Sequence, residues 1–499
     1  MSAIRNVVIA GRDAAAWLTA NALSRALGAT GLNVTVVELP GLLRAQDVYA
    51  SQPALEAFHR LLGFEESEIL KACGGSYSLG QTFANFAHTR PAFLQPYGSH
   101  GAALNRLPFH QLWIKARQLG LNVAFEDFSL SAVAAKQGRF FVANAEMAAF
   151  GRCDYAYHLR AGAYVGFLKA HALRRGVTLH QTRHVAARLD ADGLIDHLVL
   201  ADGTEVEGDL FIDATGAESR LLGEALKVGS ESWAHWFPAN RVLTAAGERL
   251  RTLPSHSQVK ALDWGTLHML PTQDMTGLMH VYDGGATSDD EAFRAMAVTA
   301  GLRVSPDATV SSLAAGRRHV AWSGNCVAIG EAACVFDPIV NPGLHSIQLG
   351  LAHLIALFPT ERVCALEAQE YNRNIQRSFE RFRDFQLTHY ALNKNFDRPF
   401  WDHLRTVGLP DMLAHKIEVF QARGLVVLYD EETFQFDEWL AAFFGHGLMP
   451  RSYDPLADLV PQDEAIRHVQ SILGFIRQHI EEMSSHDAYV EMFASRDFA

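Results

Sequence analysis

Three short stretches carry residue types that can hold a phosphate-bearing cofactor, and each of them closes an apolar run. Asp213-Ala214-Thr215-Gly216 ends a run that begins near residue 209, and Gly330-Glu331 follows residues 326–329. Small residues at such points let a ligand lie against the backbone. The third stretch reads Gly11-Arg12-Asp13-Ala14-Ala15-Ala16 and is set against Glu38, which ends the next apolar run. A dinucleotide fingerprint wants GxGxxG, with an acid about 20 residues on for the adenosine ribose. Gly11 keeps the turn and Ala16 allows close helix packing, but Asp13 puts a carboxylate where the backbone should approach a pyrophosphate. Weaker binding is the expectation unless Asp13 points away.

These residues need strands to end beneath them and helices to begin above them. Residues 5–38 read as strand, tight turn, helix and strand, the length and order of a βαβ unit. Residues 326–329 lead through a turn containing Pro338 and Pro342 into a helix from Gly343, whose apolar positions Leu344, Ile347, Leu351, Leu354 and Phe358 fall at helical spacing. A helix start aimed out of such a turn is a seat for an anion or cofactor. Three strand-to-turn elements far apart in sequence point to convergence on one dinucleotide.

Between them, residues 52–70 are expected to be helical and residues 75–90 to form an antiparallel strand. Residues 93–113, dense in histidine and aromatic side chains, read as a loop leading into a helix. A helix is expected to end near Arg175-Gly176, with strand-like residues 185–189 and 197–200 and an Ala201-Asp202-Gly203 hairpin turn after it. Beyond residue 390 the pattern is mostly helical.

At 499 residues the chain can bury a large core, and 49% apolar against 20% charged residues suits a soluble globular protein. Forty-three basic against fifty-five acidic residues, a net charge of −12, and no basic block argue against nucleic acid as a partner. The five cysteines are scattered and include no CxxC pair, which suggests neither a disulfide framework nor a metal site and fits a reducing cytoplasm. No signal-peptide core or membrane-length apolar run is read.

From end to end the chain resembles a flavin-dependent tryptophan halogenase. The likeness is carried by Asp154-Tyr155-Ala156-Tyr157-His158, Ser232-Trp233-Ala234-His235-Trp236, Pro399-Phe400-Trp401 and residues 57–63, 101–113, 209–216, 325–358, 383–390, 409–416 and 450–457, in the family's order. The resemblance implies an α/β fold: an FAD-binding, flavoprotein-monooxygenase-like Rossmann-type module with mixed sheets and a C-terminal helical layer. Residues 1–390 would form the flavin-binding module with an inserted substrate-side sheet, its nucleotide part lying at about 1–90, 150–225 and 320–360. Residues 391–499 would form the helical region.

In that family a separate flavin reductase delivers reduced FAD, and oxygen then converts chloride to hypohalous acid. This travels down a tunnel to a lysine, and a glutamate beside it assists attack on the indole ring. The cofactor-binding residues the resemblance implies here are Gly11, Ala14, Ala15 and Glu38 from the first unit of sequence, and Ala50 from the loop after it. Asp213 and Gly216 follow, then Gly330, Glu331 and Pro338, and Gly343 and Leu344 at the helix start.

The chain departs from the family where the chemistry is done. Ser78 stands for the lysine and cannot form a haloamine or offer a cationic donor. Val340 stands for the glutamate and cannot take up a proton. The two backbone amides that hold chloride align with Pro342 and Gly343, and proline has no N–H. The flavin loop glycine-valine-glycine-glutamate-alanine-threonine aligns with Gln46-Asp47-Val48-Tyr49-Ala50-Ser51, so both glycines carry side chains. The tryptophans of the WxWxIP signature become Thr266 and His268. His268 is a candidate acid or base, or a packed side chain; Lys71, His100 and His110 are further candidates.

Two readings from different classes stay open. One is an FAD-dependent monooxygenase or oxidoreductase on an unknown aromatic or amino-acid-like substrate, with ordinary halogenation lost. The other is a non-catalytic halogenase-fold protein, with weak or no FAD binding, that takes a partner protein, peptide or small ligand. A small-molecule or peptide substrate, a reductase if active, and a homodimer are the partners considered; nucleic acid and membrane are not.

Overall fold

A computed structural model describes residues 4–87, 91–395 and 397–494. The chain divides into two compact units. The first comprises Met1–Gly75, Leu159–Thr244 and Thr309–Arg381, and the second Ser76–His158, Ala245–Ala308 and Phe382–Ala499. This is the mixed α/β architecture expected, with several sheets and many helices.

The first unit is built on β1 (Asn6–Gly11), α1 (Asp13–Leu27), β2 (Asn33–Glu38), β3 (Thr178–Gln181), β4 (Leu210–Ala214), β5 (Cys326–Ala328) and α2 (Gly343–Ala356). Its main sheet runs β3-β2-β1-β4-β5, all parallel, with Trp322–Ser323 antiparallel at the far edge. That is the doubly wound 3-2-1-4-5 order, in which the strand order reverses between β1 and β4 and opens a crevice at the strands' carboxyl ends. β1 is apolar without alternation because both faces are covered: Val7, Val8, Ile9 and Ala10 are all buried. Register places Gly11 beside Ala214 on one side and Glu38 on the other.

α1 packs beside α2 and the helix Ala161–Arg174, burying Ala14, Ala16, Trp17, Leu18 and Leu23. Its N-cap residue, Arg12, makes no capping side-chain bond. The first helical bond is Ala16 N–H to the Arg12 carbonyl, so the N–H groups of Asp13, Ala14 and Ala15 lie outside the helical ladder.

Two sequence expectations change locally here. The helical stretch 52–70 is two helices, Ala54–Leu62 and Glu66–Cys73, separated where Gly63 takes φ +71 and ends the first. α2 stops at Ala356 rather than reaching Phe358, which is excluded from a helix by the proline after it.

The second unit holds a sheet in which Met275–Tyr282, Gly265–Pro271, Ser257–Leu262, Gly80–Ala84 and Phe93–Pro96 are successive neighbours. The expected strand over 75–90 is split into Ser76–Ser78 and Gly80–Ala84, and the part at 88–90 lies outside the described residues. Gly80 is required there, since a side chain would run into the Gln95 carbonyl of the neighbouring strand. The second segment pairs antiparallel with Phe93–Pro96 and parallel with Ser257–Leu262. Strand Phe93–Pro96 also replaces the expected loop at that point. The helices Pro399–Thr406, Asp411–Arg423, Phe436–Gly445, Gln462–Glu482 and His486–Ala494 belong to this unit.

Among the described residues no helix is long and apolar enough to cross a membrane, and no three His, Cys, Asp or Glu side chains are placed to hold a metal.

Candidate functional site

The carboxyl ends of β1 and β4 meet the Gly330 turn at one place in the first unit. Gly11 is there because nothing larger fits: a Cβ would stand 2.6 Å from both the Cβ and the carbonyl oxygen of Ala214. Gly216 and Gly330 are there for their backbone, with φ of +84 and +65. A Cβ on Gly330 would meet Ile347 of α2 at 3.1 Å and Ala15 of α1 at 3.5 Å, and one on Gly216 would lie 3.9 Å from the Glu331 carboxylate. Gly11, Ala15, Gly216, Gly330 and Glu331 are therefore brought together. Glu331 is exposed at this turn. Confinement raises its pKa, Asp13 adds to the rise, and Arg12 opposes it.

Asp13 departs from the glycine pattern in a specific way. It holds φ +53, the left-handed conformation a glycine would take and an aspartate tolerates. Its carboxylate turns toward the chain after β2, where it accepts the Leu42 N–H at 3.1 Å. Burial raises its pKa, and Asp47 and Glu38 push in the same direction against Leu42 and Arg12. Arg12 is only 8% exposed; one guanidinium nitrogen reaches Glu218 at 3.4 Å, and its Nε–H has no partner among the described residues.

Glu38 lies where a ribose acid belongs, at the end of β2. Trp17 Nε1 donates to its Oε1 at 3.0 Å, and Lys169 Nζ at 2.6 Å and Gln181 Nε2 at 2.8 Å donate to Oε2. Burial works against its charge, but these donors outweigh it and hold the carboxyl below its ordinary value. A carboxylate accepts about four hydrogen bonds, so one position remains beside Trp17. Asp13, Glu38, Pro40, Gln181 and Arg183 help to line a cleft of about 610 Å³.

The other acid at a strand end, Asp213, is turned inward and fully used. Its Oδ1 accepts from Thr215 N at 3.1 Å and Thr215 Oγ1 at 2.7 Å. Its Oδ2 accepts from Ser219 Oγ at 3.2 Å, Leu221 N at 2.9 Å and Leu222 N at 2.8 Å. It ties the π-helical turn Arg220–Ala225 to the end of β4.

Before α2 the chain makes a 3-10 turn, Pro338–Val340, whose N-cap Asp337 accepts the Ile339 N–H at 3.0 Å. Asn341 follows at φ +54, then Pro342 as the helix N-cap and Gly343 as its first residue. Val340 is buried, and its carbonyl accepts from Gln52 Nε2 at 2.6 Å. Leu344 and His345 are buried in the first turn of α2, and burial lowers the His345 pKa to about 4. Ala50 is buried in the strand Val48–Ala50. Gln46, one of the residues standing for the loop glycines, donates to Thr309 Oγ1 at 3.1 Å.

In the second unit, the Ser78 hydroxyl is buried and donates to the Gly80 carbonyl at 2.9 Å. His268 is fully buried with Nε2 3.0 Å from Thr266 Oγ1, and burial lowers its pKa to about 3, so the ring is neutral. His100 stacks on Phe125 at 4.5 Å, and His110 lies 2.9 Å from the Gly424 carbonyl with its pKa lowered by burial to about 4. Lys71 is exposed on the helix Glu66–Cys73 of the first unit.

The backbone of the first unit fits a flavin adenine dinucleotide: an uncapped helix start, an unpartnered Arg12 Nε–H and two left-handed glycines converge at the crevice of the doubly wound sheet. Sequence reasoning missed one side chain there. Tyr49 is half-buried and packs edge-on to Tyr164 with ring centroids 6.3 Å apart, and burial, then the charges of Asp13 and Glu331, raises its pKa. Its place in the aligned flavin loop was readable; its packing was not.

The family model for tryptophan halogenases matches residues 6–462. Tryptophan 6-halogenase ThaL of Streptomyces albogriseolus is 28% identical, with 95% of each chain covered. Among solved structures, BrvH, a flavin-dependent halogenase from Brevundimonas sp. BAL3, is 30% identical with a TM-score of 0.94, covering 98% of this chain and 99% of that one. Xcc4156, a flavin-dependent halogenase from Xanthomonas campestris, is 31% identical with the same TM-score of 0.94 and 99% of both chains covered. With sheet order, crevice and whole-length similarity in agreement, the chain belongs to the tryptophan halogenase family.

Proposed function

We propose that this chain is an FAD-dependent, monooxygenase-like oxidoreductase acting on an aromatic or amino-acid-like substrate, with the lysine-and-glutamate route to halogenation closed. The observation that carries the reading is the convergence of α1's uncapped start, the ends of β1 and β4 and the Gly330 turn at one crevice. When bound, FAD supplies redox chemistry with oxygen that no side chain here provides. A separate reductase would deliver it reduced.

The chain's own residues have distinct parts. Arg12 and the free N–H groups of α1 meet the pyrophosphate charge. Glu38 keeps one acceptor position for a ribose hydroxyl. Gly216 and Gly330 leave room for the ligand to pass against the backbone. Halogenation is closed because a serine hydroxyl bonded to Gly80 replaces the lysine, a valine replaces the glutamate, and Pro342 offers no N–H to a halide.

The test is retention of FAD by purified protein through a desalting column, with quenching of flavin fluorescence on titration. Colourless protein that neither retains nor quenches FAD refutes the reading. It would favour the second one, a non-catalytic family member binding a partner, peptide or small ligand, which the neighbouring acids Asp13 and Glu331 support by opposing the charge of a pyrophosphate.

A further inference from the structure

Glu38 is met from three elements of the first unit at once. Its register partner across β2 and β3 is Gln181, so the two side chains leave the sheet side by side on one face. Lys169 comes from the helix Ala161–Arg174, and Trp17 from α1. The Lys169 ammonium lies 5.3 Å from the centre of the Trp17 ring, so ring and carboxylate fix it together.

The donors divide unequally between the two carboxylate oxygens. Oε2 takes both Lys169 Nζ at 2.6 Å and Gln181 Nε2 at 2.8 Å, whereas Oε1 takes only Trp17 Nε1 at 3.0 Å. Each oxygen accepts about two hydrogen bonds. Oε2 is therefore full, and among the described residues one acceptor position is left, on Oε1. The ribose of an adenosine offers two neighbouring hydroxyls, and an open carboxylate can receive both, one on each oxygen.

Resting on the reading of the first unit as an FAD site, we propose that Lys169 and Gln181 set the specificity of the ribose seat. By claiming Oε2 of Glu38 they leave the acid a single acceptor, and the seat reads one hydroxyl of the adenosine ribose instead of two.

The two donors act differently. Lys169 compensates the charge of an acid whose side chain is only 16% exposed and which shares its cleft with Asp13. Burial works against that charge, and Lys169 and Gln181 outweigh it, so Glu38 stays an acceptor at neutral pH. Gln181 lines the same cleft as Glu38, so the acceptor position it covers is on the ligand's side.

The test uses the full chain and its Gln181→Ala variant, with FAD and its analogues lacking the 2′- or the 3′-hydroxyl of the adenosine ribose. Affinity is read by equilibrium dialysis and flavin absorbance. Gln181 is exposed at the end of an edge strand, so its replacement leaves the core alone. In the wild type, loss of one hydroxyl is expected to weaken binding about tenfold and loss of the other by less than about twofold, because only one donates to the charged acceptor. In Gln181→Ala the second hydroxyl gains the freed position on Oε2. FAD is then expected to tighten about three- to tenfold, and both analogues to bind several-fold more weakly than FAD. A side chain that merely supported the strand would leave this pattern of hydroxyls unmoved. If FAD binds but the wild type loses affinity equally with either analogue, or the variant reads the hydroxyls as the wild type does, the proposal is overturned and the flavin reading stands. If neither protein binds FAD, both fall.

Discussion

In the second unit the rings of His110, His158, His268, His280 and His486 are buried, and His256 is half-buried. Burial lowers their pKa values from 6.5 to about 3 for His158 and His268 and to about 4 for the other four. Geometry gives the same answer for His486: its Nε2 accepts the Tyr77 N–H at 3.2 Å while Nδ1 lies 3.2 Å from the Leu253 carbonyl, an arrangement open only to a neutral ring. Unfolding frees each ring to bind a proton at its ordinary pKa. The folded state gains nothing from acid in that range, so stability is full above pH 6.5 and is lost as pH falls toward the folded values. Near pH 5.5 each ring favours the unfolded state by about 1.4 kcal/mol, and the six together by roughly 8 kcal/mol. That is comparable with the whole stability of a typical domain, about 5–15 kcal/mol. Carboxyls held low, such as Glu38, titrate below 4.5 and stay out of this window. Urea unfolding followed by tryptophan fluorescence between about pH 7.5 and 5.5 should show the midpoint collapsing, with uptake of roughly five to six protons by potentiometric titration. An unfolding free energy that changes by less than about 1 kcal/mol over that interval refutes the reasoning, because the rings would then be able to charge in place.

Asp213→Asn exchanges one acceptor oxygen for an N–H₂ that must face either Thr215 or the Ser219, Leu221 and Leu222 donors. The first unit should lose about 3 kcal/mol in chemical denaturation, with faster amide exchange at Leu221 and Leu222; an unshifted midpoint contradicts the inward role of this acid. Bromide soaked into crystals should give no anomalous peak beside Gly343, since Pro342 removes one of the two amides that would hold it. With a flavin reductase, oxygen and chloride supplied, tryptophan and indole should leave unchlorinated; a well-occupied bromide or a chlorinated product would show that other groups have taken over.

How much of this was legible in the sequence depends on the range over which each feature is determined. The βαβ unit from Asn6 to Glu38 is local, and its strand, turn and helix signals lie within a few residues of one another. Gly63 at φ +71 was equally local: it is the C-terminal glycine signal that divides the helical stretch 52–70. The Asp213-x-Thr215 spacing also announced an acid that bonds its own backbone two residues on, and so an acid spent on a turn. The packing of Tyr49 had no such signal, because its neighbour Tyr164 lies far along the chain.

The same distinction decides what a surviving glycine means. Gly11 must remain because Ala214 of the next strand stands where its Cβ would go, so its presence testifies to the sheet whether or not a dinucleotide binds. Gly216 and Gly330 answer to left-handed turns at β4 and β5, which the fold also needs. Asp13 shows the reverse case: the left-handed turn at φ +53 persists, supported by the bond from Leu42, while the open approach a glycine would give has gone. Retained glycines therefore establish the family's scaffold, and the state of the cofactor seat is decided by the side chains set upon it, Arg12, Asp13, Tyr49 and Glu331. Two of these are acids, one is a half-buried phenol and one is an arginine whose Nε–H has no partner among the described residues, so an anion entering here meets opposing charge and a spare donor together.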